Sequence, residues 1–181
     1  DKKGNAMTVG EVYDYINTYA PFRLQDDFDN SGLLVGSRDK EVYRLAVCLD
    51  ITNDVVEECE RVGAQLIVSH HPVTFGLKRI TDADVTGRIL LRLLRGGISA
   101  ICMHTNLDRA PGGVNDCLVG VLGLTYPEPL PMTDGFCRRG KLASPMPLGE
   151  YVQKISAALH CNGIRYADGG KPVHRVAVGG G

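Results

Sequence analysis

The sequence predicts an α/β fold, a parallel-sheet layered α/β lobe with flanking helices. Short apolar runs recur at 44–51, 65–69 and 99–103. Stretches with apolar residues at helical spacing separate them, and glycines fall where those helices should stop. Strand-helix-strand-helix-strand in that rhythm points to a parallel sheet with right-handed crossovers.

Thr8 to Ala20 reads as a helix. Thr8 can cap it, Val12, Tyr15, Ile16 and Tyr19 recur at helical spacing, and Pro21 follows its end. Arg44 to Ile51 is an apolar run suited to a strand buried on both faces. Thr52 caps a helix through Val62, with Val55, Val56 and Cys59 inward and Gly63 at its C-terminal stop. Gln65 to Ser69 is a second buried strand. Asp84 to Arg95 is a helix carrying Ile89, Leu90, Leu93 and Leu94, ended by Gly96-Gly97. Ser99 to Met103 is a third strand, and Val114 to Leu122 a helix closed by Gly123.

After Leu124 the character changes. Pro127, Pro129 and Pro131 suggest a linker, Phe136 to Leu142 an edge strand, Pro147 to Leu159 a helix and Arg175 to Val178 a buried strand. The expected division is residues 1–6 apart from the fold, 7–124 as the first lobe, and 125–181 as a linker and the start of a second. A buried strand running into Gly179-Gly180-Gly181 normally feeds a helix, so the expectation is that the protein continues.

Charge is balanced, with 20 basic and 21 acidic residues, and there is no Trp among few aromatics. Neither a basic face nor a base-stacking platform is expected, and so no nucleic-acid partner. The six cysteines lie in scattered apolar contexts with no C-x-x-C pair. They read as small buried hydrophobes in a reducing compartment, the cytoplasm. No apolar run approaches the ~18–20 residues needed to span a bilayer, so no membrane association is expected. Phosphate-loop, dinucleotide, serine-hydrolase and H-E-x-x-H signatures are absent from the sequence.

Three segments carry potential chemistry. In Leu66-Ile67-Val68-Ser69-His70-His71-Pro72 an apolar strand runs into two imidazoles. Ligands of open parallel sheets bind at the carboxyl ends of strands. Neutral imidazole is the commonest protein ligand for zinc, iron and similar metals. In Ala100 to Asp108 another strand ends in His104, with a carboxylate four residues on. If the strands are neighbours, His70, His71, His104 and Asp108 share one rim. There Asp108 could bridge ions, or cap a turn before Pro111-Gly112-Gly113. His104 could ligate, or lie behind a ligand and orient it, which is the favoured reading. The third segment, Asp29-Asn30-Ser31-Gly32, is turn chemistry before an apolar strand, more structural than catalytic. Asp50 ends the first strand and reads equally as a general base, a carboxylate orienting a ligand, or a helix N-terminal residue. His160 and His174 read as surface residues, and Cys102 receives no role.

Together, Asp29-Asn30-Ser31-Gly32-Leu33, Ser69-His70-His71-Pro72 and His104-Thr105-Asn106-Leu107-Asp108 with Pro111-Gly112-Gly113-Val114-Asn115-Asp116 resemble the NIF-three-like family. Its members carry the name GTP cyclohydrolase I type 2 homologue. The resemblance covers about residues 8–181. It implies two related lobes, a dinuclear divalent-metal site and a ring-shaped homo-oligomer, typically a hexamer. The family's metal ligands match His70, His71 and Asp108. A further His and Glu, four residues apart near the family's C-terminus, have no counterpart after residue 108 here.

Two functions follow as expectations. One is a dinuclear metal-dependent hydrolase acting on a nucleotide or related heterocycle, with Asp50 or His104 moving the proton and Arg109 available to a phosphate. The other is a non-catalytic metal-binding scaffold or regulator. An Asp-His-His phosphoesterase ranks below both, because Ser69 precedes the pair. Zinc, iron, manganese and nickel all suit such a donor set.

Overall fold

The computed structural model describes residues 6–180, which form a mixed α/β structure. The expectation that residues 1–6 stand apart falls, for 1–5, outside the described residues. The chain divides into two compact units at Leu107/Asp108.

The first unit opens with β1 (Met7–Thr8) and α1 (Val9–Tyr19). Thr8 and Glu11 form a reciprocal capping box, satisfying two orphan N–H groups at the helix start. The buried stripe of α1 is Val9, Val12 and Ile16. Tyr15 and Tyr19, expected inward by spacing, are exposed. Next come β2 (Gly32–Val35), β3 (Glu41–Val42) and β4 (Leu45–Cys48). Then follow α2 (Asn53–Val62), β5 (Leu66–Ser69), α3 (Val85–Gly96), β6 (Ser99–Cys102) and the short α4 (Thr105–Arg109), which spans the division. Thr52 and Asp84 cap α2 and α3, and Gly63 and Gly97 end them in the left-handed conformation.

The main sheet has the order β2-β6-β5-β4. Strands β4, β5 and β6 run parallel, while β2 joins antiparallel, a departure from the all-parallel rhythm of the sequence. Ile67 and Ala100 pack with Val56, Cys59, Ile89 and Leu93 of α2 and α3. Their neighbours Leu66 and Ile101 pack with Val9, Val12 and Ile16 of α1. The alternation of a strand thus splits the core in two. Strand β4 was expected to be buried on both faces. It is instead an edge strand, with Tyr43, Leu45, Val47 and Leu49 exposed at every second position. Leu94, expected inward on α3, is also exposed.

The second unit comprises α5 (Val114–Val121), β7 (Thr125–Pro129), β8 (Arg138–Met146), α6 (Leu148–Ala158) and β9 (Val173–Val178). Its sheet is antiparallel, β7-β8-β9, and Val119, Leu122, Leu124, Leu142 and Tyr151 form its core. The proline-rich segment expected as a linker is strand β7, whose place at the edge tolerates prolines. The segment expected as an edge strand is the central β8, and β9 is half exposed rather than buried. The guanidinium of buried Arg138 donates to Asp116 and to the carbonyls of Gly135 and Arg109, tying this unit together.

Candidate metal centre

Strand register builds the site. Cys48, Ser69 and Cys102 are aligned across β4, β5 and β6. Two residues past that row on each strand stand Asp50, His71 and His104. The ladder continues beyond the strands: His71 N–H donates to Leu49 O at 2.9 Å and Met103 N–H to Ser69 O at 2.8 Å. Asp50, His71 and His104 therefore follow the carboxyl ends of three adjacent parallel strands, on one rim of the sheet.

His70 would face away from His71 in a regular strand. Here the backbone turns. The Ser69 hydroxyl donates to His71 O at 2.8 Å, and the Cys102 thiol donates to His70 O at 3.0 Å. Both imidazoles reach the same place: ring centroids are 5.0 Å apart for His70–His71, 5.3 Å for His70–His104 and 5.6 Å for His71–His104. Among the described residues, His70, His71 and His104 form a group whose candidate ligand atoms all lie within 4.8 Å of one another.

The donor set fits a divalent transition metal. Each histidine has its Nδ1 against a fixed acceptor. The acceptors are Met103 O for His70 at 2.8 Å, Asp50 Oδ1 for His71 at 2.7 Å and Asp29 Oδ1 for His104 at 2.8 Å. A proton on Nδ1 in each case places the acceptor lone pair on Nε2. This is the arrangement of metal-ligating histidines, whose other ring nitrogen donates to a carboxylate or carbonyl. Burial pushes the Cys102 thiol up to about 12 and the Cys48 thiol up to about 11.

Asp29, read from the sequence as turn chemistry, also bonds to His104, far along the chain. Burial alone would raise its pKa. Hydrogen bonds from the Thr105 hydroxyl, His104 and the backbone N–H groups of Asn30 and Thr105 outweigh that, holding it below the usual Asp value. The only local signal was the Asp-Asn-Ser-Gly turn, and nothing in it names a partner 75 residues away. The exposed Phe75 ring stands 5.9 Å from His104, and Asn30 Nδ2 donates to Thr74 O at 2.7 Å beside it.

The other sequence candidates are placed as follows. Asp50 is half exposed and bonded to His71. Asp108, at the start of the second unit, has a buried side chain, and its carbonyl accepts from Asn115 Nδ2 at 3.1 Å. Arg109 pairs with the exposed Asp134 at 3.3 Å. His160 and His174 are exposed in the second unit, outside the histidine group.

Known proteins resemble this chain in sequence and in fold. The sequence model of Duf34/NIF3 (NGG1p interacting factor 3) matches residues 7–181. A protein of Clostridium perfringens named GTP cyclohydrolase 1 type 2 homolog is 32% identical over 179 residues, which are 95% of this chain and 68% of that protein. A crystal structure of a Staphylococcus aureus hypothetical protein superposes with a TM-score of 0.87 at 26% identity, covering 98% of this chain and 73% of that one. A Bacillus cereus protein related to NIF3 shares the fold, with a TM-score of 0.88 at 20% identity, covering 98% of this chain and 78% of that one.

Proposed function

This chain belongs to the Duf34/NIF3 family, and on that premise we propose that it is a divalent-metal protein whose dinuclear centre hydrolyses a nucleotide-like substrate. The observation that carries the reading is the set of three imidazoles, each with Nδ1 held and with candidate ligand atoms within 4.8 Å of one another. His70, His71 and Asp108 are the proposed ligands. Bound divalent ions would supply a water of lowered pKa as a nucleophile at neutral pH. His104 and Asp50 are placed in the proposal to take and return protons beside it. The relatives' name, GTP cyclohydrolase 1 type 2 homolog, supports a purine nucleotide as the first substrate to try.

The proposal extends to two related lobes in the full-length protein and a ring-shaped homo-oligomer, a hexamer. All six cysteines are free, which supports a reducing, cytoplasmic setting. No helix of the described residues is long and apolar enough to cross a membrane.

Elemental analysis of the purified full-length protein and of His70→Ala tests the centre. Wild-type protein should carry zinc, iron, manganese or nickel, and the variant should lose most of it. Unchanged metal content in His70→Ala removes the site. Formate release from GTP tests the chemistry. Metal-loaded protein that leaves GTP and a nucleotide panel intact overturns the hydrolase and favours a metal-binding scaffold.

A further inference from the structure

We propose that Asp29 is a positioning residue of the metal centre: its carboxylate holds His104 in the Nδ1–H tautomer, so that Nε2 is the nitrogen offered to the site. This deepens the metal reading above and rests on it.

The Asp29 side chain has no exposed surface. Its Oδ1 accepts from His104 Nδ1 at 2.8 Å and from Asn30 N–H at 2.6 Å. Its Oδ2 accepts from Thr105 N–H at 3.0 Å, from Ser31 Oγ at 3.0 Å and from the Thr105 hydroxyl. The proton count closes. The Ser31 hydroxyl donates to Asp29 and accepts from His104 N–H at 3.2 Å. The Thr105 hydroxyl donates to Asp29 and accepts from Asp26 N–H at 3.0 Å. Five donors converge on one carboxyl group, which only the ionised, acceptor-only form satisfies.

A turn residue would need only its own neighbours. Three of these five donors instead come from residues 104 and 105. The loop carrying Asp29 therefore grips the backbone and the ring of His104 together. The geometry also sets an asparagine at position 29 at a disadvantage. Each carboxylate oxygen already faces a backbone N–H, from Asn30 on one side and Thr105 on the other. An amide NH₂ in either orientation meets one of those donors. Turned toward His104, it would also favour the opposite tautomer, with the proton on Nε2.

The test is made on the full-length protein. ¹⁵N NMR of the metal-free wild type reads the His104 tautomer, and competition titrations with Zn²⁺ and Co²⁺ read affinity. Wild type should show His104 protonated on Nδ1. Asp29→Asn should lose that signature and bind metal ~10–100-fold more weakly, the usual effect of loosening the hydrogen-bonded groups behind a metal's ligands, felt here through the His104 ring that stands against His70 and His71. Ser31→Ala, which leaves the Asp29–His104 bond in place, should keep the wild-type tautomer. A wild-type His104 protonated on Nε2, or Asp29→Asn binding with wild-type affinity, overturns the role of Asp29 alone. Should Asp29→Asn fail to fold, the wild-type tautomer still decides. Wild type that binds neither ion overturns the metal centre, and this role with it.

Discussion

The three imidazoles lean on acceptors of unequal strength, and their substitutions should separate accordingly. Met103 O is a backbone group that no side-chain change removes, whereas Asp50 and His71 are both about half exposed. Water can replace that exposed carboxylate, and such pairs contribute ~1 kcal/mol at most. Asp50→Asn should therefore weaken Zn²⁺ binding no more than about fivefold by competition titration, well short of the effect of Asp29→Asn. Asp29 also links stability to pH. Its folded pKa lies below its ordinary value of 3.8. The stabilisation is therefore fully present above about pH 4 and lost as pH falls through the lower folded value. Urea titrations should show wild type ahead of Asp29→Asn at pH 6, with the gap narrowing at pH 3. An equal gap at both would show that ionisation of Asp29 contributes nothing. Histidines at strand ends were visible in the sequence because each sits beside its own apolar run. The Asp29–His104 bond was not, because its partners are 75 residues apart.

Helix α3 sets two effects against each other at Gly87. Replacing a helical glycine with alanine ordinarily stabilises by ~1 kcal/mol. Here a Cβ would collide with the backbone carbonyl of Thr81. Backbone cannot swing aside as a flexible side chain can, and overpacking costs ~1–3 kcal/mol. Gly87→Ala should thus lower the thermal midpoint, and a raised midpoint would refute the close approach. Thr8→Ala removes the capping box of α1 and should cost about 1 kcal/mol in urea unfolding. Helix starts and stops were legible because caps and glycines act over three or four residues. The exposure of β4 was not. An apolar run reads the same at the centre of a sheet and at its edge, and only its pairing on one side distinguishes them. Strand β7 failed for a related reason: prolines that break a central strand are accepted at an edge.

For the molecule as a whole, the strongest consequence of a metal centre is linkage. A divalent ion at one hundred times its Kd adds about 2.7 kcal/mol to the state that binds it. For a unit of roughly 100 residues that raises the midpoint on the order of 10–20 °C. Calorimetry should show the unfolding transition rise with Zn²⁺ or Mn²⁺ and fall back with a chelator. A transition unmoved by zinc, iron, manganese and nickel would argue against the centre. The α/β class, most helix boundaries and the histidines that end two strands could be read from the chain alone, because each depends on residues close together in sequence. Strand order, the antiparallel β2, the convergence of His70, His71 and His104, and the grip of Asp29 emerged only on folding. They arise from pairings between distant segments, and no local pattern of apolar and polar residues encodes which segments will meet.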